Sequence, residues 1–93
     1  MIDKLRKECE KFLSDNDLSI DTRFYTQEEW EARGEPHGNG APLSLTFEGA
    51  LYSVLNGYNR AGGKLAEQFY AIAERHGYFV ELGFAWSAHF YKI

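Results

Sequence analysis

Residues 78–93 read YFVELGFAWSAHFYKI, and how this stretch folds decides how many strands the protein has. It is rich in aromatic residues, which favour extended chain. Phe84, Trp86, Ala88 and Phe90 alternate with Ala85, Ser87, His89 and Tyr91, the period of two expected of a half-buried strand. Leu82-Gly83 interrupts the run, either as a tight turn between two strands or as a bulge in one long strand. A hairpin gives a sheet of four strands, and a bulge gives three.

Working back along the chain, residues 64–76 place Leu65, Phe69, Ile72, Ala73 and His76 on one helical stripe, with Gly77 as the stop. Residues 57–63, GYNRAGG, read as a connector, and Ala50 to Asn56 as a short helix carrying Leu51, Val54 and Leu55. Residues 42–48, PLSLTFE, alternate again: Leu43, Leu45 and Phe47 point to the core, and Ser44, Thr46 and Glu48 to the other side. Residues 35–40, EPHGNG, form the clearest loop. Before them, Thr26-Gln27-Glu28-Glu29 matches a capping box that starts a short helix over 27–33. Residues 18–25, LSIDTRFY, alternate with Leu18, Ile20 and Phe24 inward and Ser19, Asp21, Arg23 and Tyr25 outward. Residues 2–14 carry Ile2, Leu5, Cys9, Phe12 and Leu13 at helical spacing.

The expected fold is therefore a single α+β domain over residues 1–93. It has a three- or four-stranded, mostly antiparallel sheet with the helices at 2–14 and 64–76 packed on one face, and short helices near 27–33 and 50–56. The other face is then open. Arg23, Tyr25, Thr46, Glu48, His89 and Tyr91 occupy it, a richer set than solvation alone requires.

Composition narrows the function classes. The chain has 93 residues, 44 % hydrophobic and 26 % charged, with a formal net charge of −4; this is ordinary for one globular domain. The net charge lies entirely in residues 1–35, whereas eleven of the fifteen aromatics lie in residues 36–93. An acidic balance opposes non-specific binding of nucleic acid and docking on anionic lipid. Tyr25 and Tyr91 invite comparison with base-stacking sheets, but Arg23 is the only base on that face beside Asp21 and Glu48. Cys9 is the only cysteine, the chain opens with MIDKLRKECE, and no apolar run approaches the roughly 20 residues of a membrane span. A reducing cytoplasm is the expected compartment.

Several motifs fall away on inspection. GYNRAGGK at 57–64 resembles a phosphate loop, but Lys64 comes one residue late, Leu65 replaces the magnesium-binding Ser or Thr, and a helix precedes it where a strand should. Only a single anion near Arg60 and Lys64, at the start of the following helix, survives from that reading. His37, His76 and His89 show no metal-ligand spacing. His76 suits the negative end of a helix, and Cys9 lies on an apolar stripe where a thiol is inert. Glu28, Glu29, Glu31 and Glu35 read as a solvated acidic face that complements a helix dipole. Trp30, among them, either plugs the core edge or projects as an anchor for a partner. No catalytic residue, metal or cofactor is expected.

The stretch EEWEARGEPHGNGAPLSLTFEG, followed by ALYSVLNG, resembles short bacterial or phage reading frames, a likeness that implies no activity. The functional expectation is a small acidic interaction or accessory protein. It binds a partner protein, or its own copy, through the aromatic-bearing sheet face or an exposed edge such as the C-terminal strand. The expected contact residues are Arg23, Tyr25, Trp30, His37, Thr46, Glu48, His89 and Tyr91. The alternative is a small-molecule binder or minor enzyme with a cleft near residues 35–40, using His37, Glu48, Arg23 and His89. A third reading makes the acidic first third a decoy for a nucleic-acid-binding protein, but its interspersed bases dilute the single-sign surface that mimicry needs.

Overall fold

A computed structural model describes residues 2–58 and 62–93. The elements run α1 (Ile2–Asp15), β1 (Thr22–Thr26), α2 (Gln27–Glu31), β2 (Leu43–Phe47), α3 (Ala50–Leu55), α4 (Gly62–Arg75), β3 (Tyr78–Leu82) and β4 (Ser87–Lys92). The four strands form one antiparallel sheet in the order β1-β2-β4-β3. Residues 78–93 are thus a hairpin, not one bulged strand. Gly83 N–H donates to Ser87 O and Ser87 N–H to Phe84 O, while the Ser87 hydroxyl accepts from Phe84 N–H. Those bonds close the loop over residues 83–86. The C-terminal strand therefore lies inside the sheet, paired on both sides, and the exposed edge expected of it belongs to β3 instead.

Register explains the core. Leu45 faces Phe24 on one side and Ala88 on the other, and Leu43 lies beside Phe90, which pairs onward with Val80. One face of the sheet is thus continuously apolar. It is covered by Leu5, Cys9 and Leu13 of α1, by Leu51, Val54 and Leu55 of α3, and by Phe69, Ile72 and Ala73 of α4. Burying each large side chain of this set stabilises the fold by about 1.5–3 kcal/mol. Across this layer His76 and Arg75 both meet the carboxylate of Glu8, with His76 Nε2 2.7 Å from Glu8 Oε1, tying the end of α4 to α1. The bond from His76, then the Arg75 charge, holds the Glu8 carboxyl below its usual range despite partial desolvation. Burial pushes the Cys9 thiol up to about 12, with Glu8 and Glu10 adding to the effect.

Two expectations need correction. β1 starts at Thr22, not Leu18, because Asp17 and Asp21 adopt left-handed backbone conformations (φ 56° and 60°) and Thr22 bonds back to Ser19 O. Ile20 therefore sits in a turn, 72 % exposed, instead of facing the core. The second correction concerns the sheet face away from α1 and α4. It is not open along its length: α2 and residues 32–41 lie across its β1–β2–β4 half. Trp30, Ser44, Ser87 and His89 are fully buried there, and Tyr25 nearly so. No helix among the described residues is long and apolar enough to cross a membrane.

Candidate functional site

The covering of the second face begins with the capping box. Thr26 Oγ1 accepts from Glu29 N–H, and Glu29 Oε1 accepts from Thr26 N–H. That turns the chain sharply from β1 into α2 and drops Trp30 back onto the sheet. Its indole N–H donates to His37 O at 2.7 Å, which anchors the loop that follows. Glu31 fixes the same loop by accepting from Gly40 N–H. Three of the four acids read as a solvated face therefore have structural work: Glu29 caps, Glu31 ties down the loop, and Glu35 pairs with Arg33 at 2.9 Å.

Beneath Trp30 lies His89, with ring centroids 4.8 Å apart and edge to face. Both ring nitrogens are occupied: Nδ1 lies 2.8 Å from Ser44 Oγ and Nε2 2.9 Å from Ser87 Oγ. Each hydroxyl can donate or accept, so a neutral imidazole is satisfied in either tautomer. Two glycines make room. A Cβ at Gly38, where φ is +83°, would overlap the His89 ring, and one at Gly83 would lie 2.6 Å from Nε2. Burial, and then the charge of His37, pull His89 down to about 4, so it is uncharged at neutral pH. His89 was expected as an exposed strand residue; it is instead the hub of a small polar core. Its alternation was read correctly, but the cover over it was not visible in the pattern.

The rim of this covered region is where chemistry remains accessible. The Arg33 guanidinium sits 4.9 Å from the Trp30 ring centroid, 5.2 Å from that of Tyr25 and 5.9 Å from that of Trp86. Its Nη1 donates to Tyr25 Oη and its Nη2 to Glu35. Arg23 covers Tyr25 at 5.0 Å. Phe84 stacks on Trp86 with centroids 4.4 Å apart and planes 4° from parallel, and His37 stands edge-on to Phe84. Tyr25, Arg33, Thr46, Glu48 and Trp86 line a cleft of about 450 Å³.

Of the residues expected to form a site, Tyr25, Thr46 and Glu48 line this cleft, and Arg23 adjoins it through Tyr25. Trp30 is fully buried beneath Arg33 and is no projecting anchor. His37 does not line the cleft; its ring meets Phe84 and its carbonyl holds Trp30. His89 is sealed below. Tyr91 stands apart, stacked on Phe79 at 5.6 Å in the uncovered half of the face. The sequence reading missed Arg33, Trp86 and Phe84. Trp86 had been placed by alternation on the Phe90 side, but residues 83–86 are hairpin loop, so strand parity does not hold there. Arg33 carries no local signal beyond preceding Gly34. The anion reading at Arg60 lies outside the described residues. Among those described, no three His, Cys, Asp or Glu side chains gather as a metal site.

No protein family, no curated protein and no solved structure matches this chain.

Proposed function

We propose that the protein is a non-enzymatic interaction module that holds an acidic segment of a partner protein in the Tyr25–Arg33–Trp86 cleft. The observation that carries this reading is the Arg33 guanidinium, held over three aromatic rings while two of its nitrogens are bonded to Tyr25 and Glu35. Such a group has already lost its rotamer freedom, so further bonds to a carboxylate carry little ordering cost. A guanidinium has five N–H donors, and those not spent on Tyr25 and Glu35 remain for a ligand. Arg23 adds a second cation, Thr46 a hydroxyl, and Trp86 apolar contact area of the kind interfaces favour. Glu48 at the rim disfavours a uniformly anionic polymer and supports a peptide of mixed character.

The test is affinity capture from the native host with wild-type protein, Arg23→Glu and Trp86→Ala side by side, each variant first shown to keep the wild-type melting temperature within a few degrees. The expected outcome is a host protein retained by the wild type and lost by both variants. Capture of the same proteins by all three overturns the reading.

A small-molecule site is the second reading. It is favoured by the cleft volume, which falls in the range of ligand pockets, and opposed by the loss of His37 and His89 from its walls. A saturable rise in melting temperature with a small carboxylate, abolished by Arg23→Glu, would favour it over a protein partner.

A further inference from the structure

The sheet has two edges, β1 and β3, and they are finished differently. In β1 the pairing with β2, together with Glu48 N–H donating to Asp21 O, leaves the backbone groups of Thr22, Phe24 and Thr26 directed away from the sheet, since the direction alternates along an antiparallel strand. Two of those three amides are capped within the chain: Thr22 N–H by Ser19 O, and Thr26 N–H by the Glu29 carboxylate. Arg23 stands on the same strand as a charged guard. β1 is thus the more closed edge, with Phe24 the one outward amide not capped among the described residues.

On β3 no outward amide is capped among the described residues, and the single charged residue is Glu81. Ile93 N–H donates to Gly77 O and Gly83 N–H to Ser87 O, so the odd-numbered residues of this strand bond to β4. The same alternation directs the N–H and C=O groups of Tyr78, Val80 and Leu82 outward. Among the described residues no donor or acceptor meets them. The strand holds no proline, lysine or arginine. Two of the exposed large hydrophobic residues lie on this strand, Phe79 at 40 % on one face and Leu82 at 38 % on the other.

We propose that a second copy of this chain pairs with β3 along this edge, antiparallel and across a two-fold axis at Val80. The two four-stranded sheets then become one of eight. The side chains of the strand select a second copy as the occupant: about a two-fold axis at Val80, the part-exposed Tyr78 and Leu82 of the two copies meet each other and Val80 meets Val80. With the axis at Val80, the outward groups of Tyr78 exchange bonds with those of Leu82 of the other copy, Val80 with Val80, and Leu82 with Tyr78, so every outward donor meets an outward acceptor. Centring on Phe79 or Glu81 leaves one of the three residues unmatched, and centring on Glu81 sets like charges opposite each other, which destabilises a pair. At the Val80 axis each Glu81 lies opposite Phe79 of the other copy instead. The capped amides of Thr22 and Thr26 then end the assembly at a dimer, because each outer edge of the joined sheet keeps only the Phe24 amide for a further strand.

The test is sedimentation equilibrium over a wide concentration range, with amide hydrogen exchange read by NMR on the same samples. The expected result is a reversible dimer in which the amides of Tyr78, Val80 and Leu82 become protected as concentration rises, while Phe24 does not. Phe79→Glu sets two acids face to face across the interface and should weaken association at least tenfold. Adding Glu81→Lys to that variant restores opposite charges at the same pairs and should recover most of the loss, a rescue that depends on the proposed register. A monomer at every concentration overturns the proposal. So does a dimer indifferent to Phe79→Glu, or one whose protected amides lie on β1. Circular dichroism on both variants separates lost pairing from lost fold.

Discussion

On one side of the sheet, Leu43, Leu45, Phe47, Ala88 and Phe90 meet α1, α3 and α4 through apolar contacts alone. On the other, Ser44, Ser87 and His89, drawn from the same two strands, meet Trp30, Gly38 and Gly83. Both layers exclude water, but by different means. The apolar side needs only volume and periodicity, and many residue combinations satisfy it. The polar side needs every donor and acceptor placed, a ring of the right size, and two glycines where a methyl group would collide. No buried side-chain polar atom among the described residues lacks a hydrogen-bond partner, so the polar layer is complete as it stands. The contrast teaches that burial on the second face depends on a lid, residues 27–41, that has little apolar surface of its own. Trp30 supplies most of that surface.

The most severe way to break this contrast is Trp30→Ala. Truncating a buried Trp costs about 3–5 kcal/mol, comparable with Phe90→Ala on the apolar side, and urea denaturation of both variants compares them directly. The two should differ in kind. Phe90→Ala leaves a dry cavity, whereas Trp30→Ala admits water to His89 and should return its titration toward the ordinary value of 6.5, which NMR of the imidazole protons reads.

Next in size is the pH dependence of the wild type. His89 is held down to about 4 from 6.5, so the unfolded chain binds a proton that the folded chain refuses between those values. The stabilisation is fully present above pH 6.5 and is lost as the pH falls toward 4, by about 3 kcal/mol in all. Equilibrium unfolding at several pH values should show this slope in the wild type and a flatter one in His89→Gln. Equal slopes would mean that the lid does not exclude water.

The smallest effect sharpens the role of the glycines. Gly34 and Gly38 both have positive φ, at 72° and 83°, but a Cβ at Gly34 meets nothing within 4 Å while one at Gly38 runs into His89 and Trp30. Gly34→Ala should cost only the backbone strain, about 1–2 kcal/mol. Gly38→Ala should cost that plus the displacement of the lid. Melting temperatures of the two variants give the difference, and equal values would mean the lid yields freely.

Much of the architecture is legible without coordinates. Three period-two segments and two amphipathic helices specify an antiparallel sheet with helices on one side, because Leu43, Leu45 and Phe47, or Leu5, Cys9 and Leu13, can be buried together in only one regular conformation. The capping box at Thr26–Glu29 was equally plain, since its two bonds are local. The composition of the second face, Arg23, Tyr25, Thr46, Glu48 and His89, also follows from alternation alone. What covers that face does not. The seating of Trp30 on His89, the service of Glu31 and Glu35 to the loop, the arrival of Arg33 and Trp86 at one cleft, and the finishing of one sheet edge but not the other all depend on contacts between segments distant in sequence. Periodicity reports which way a side chain points from its own strand. Only the folded chain decides what comes to meet it.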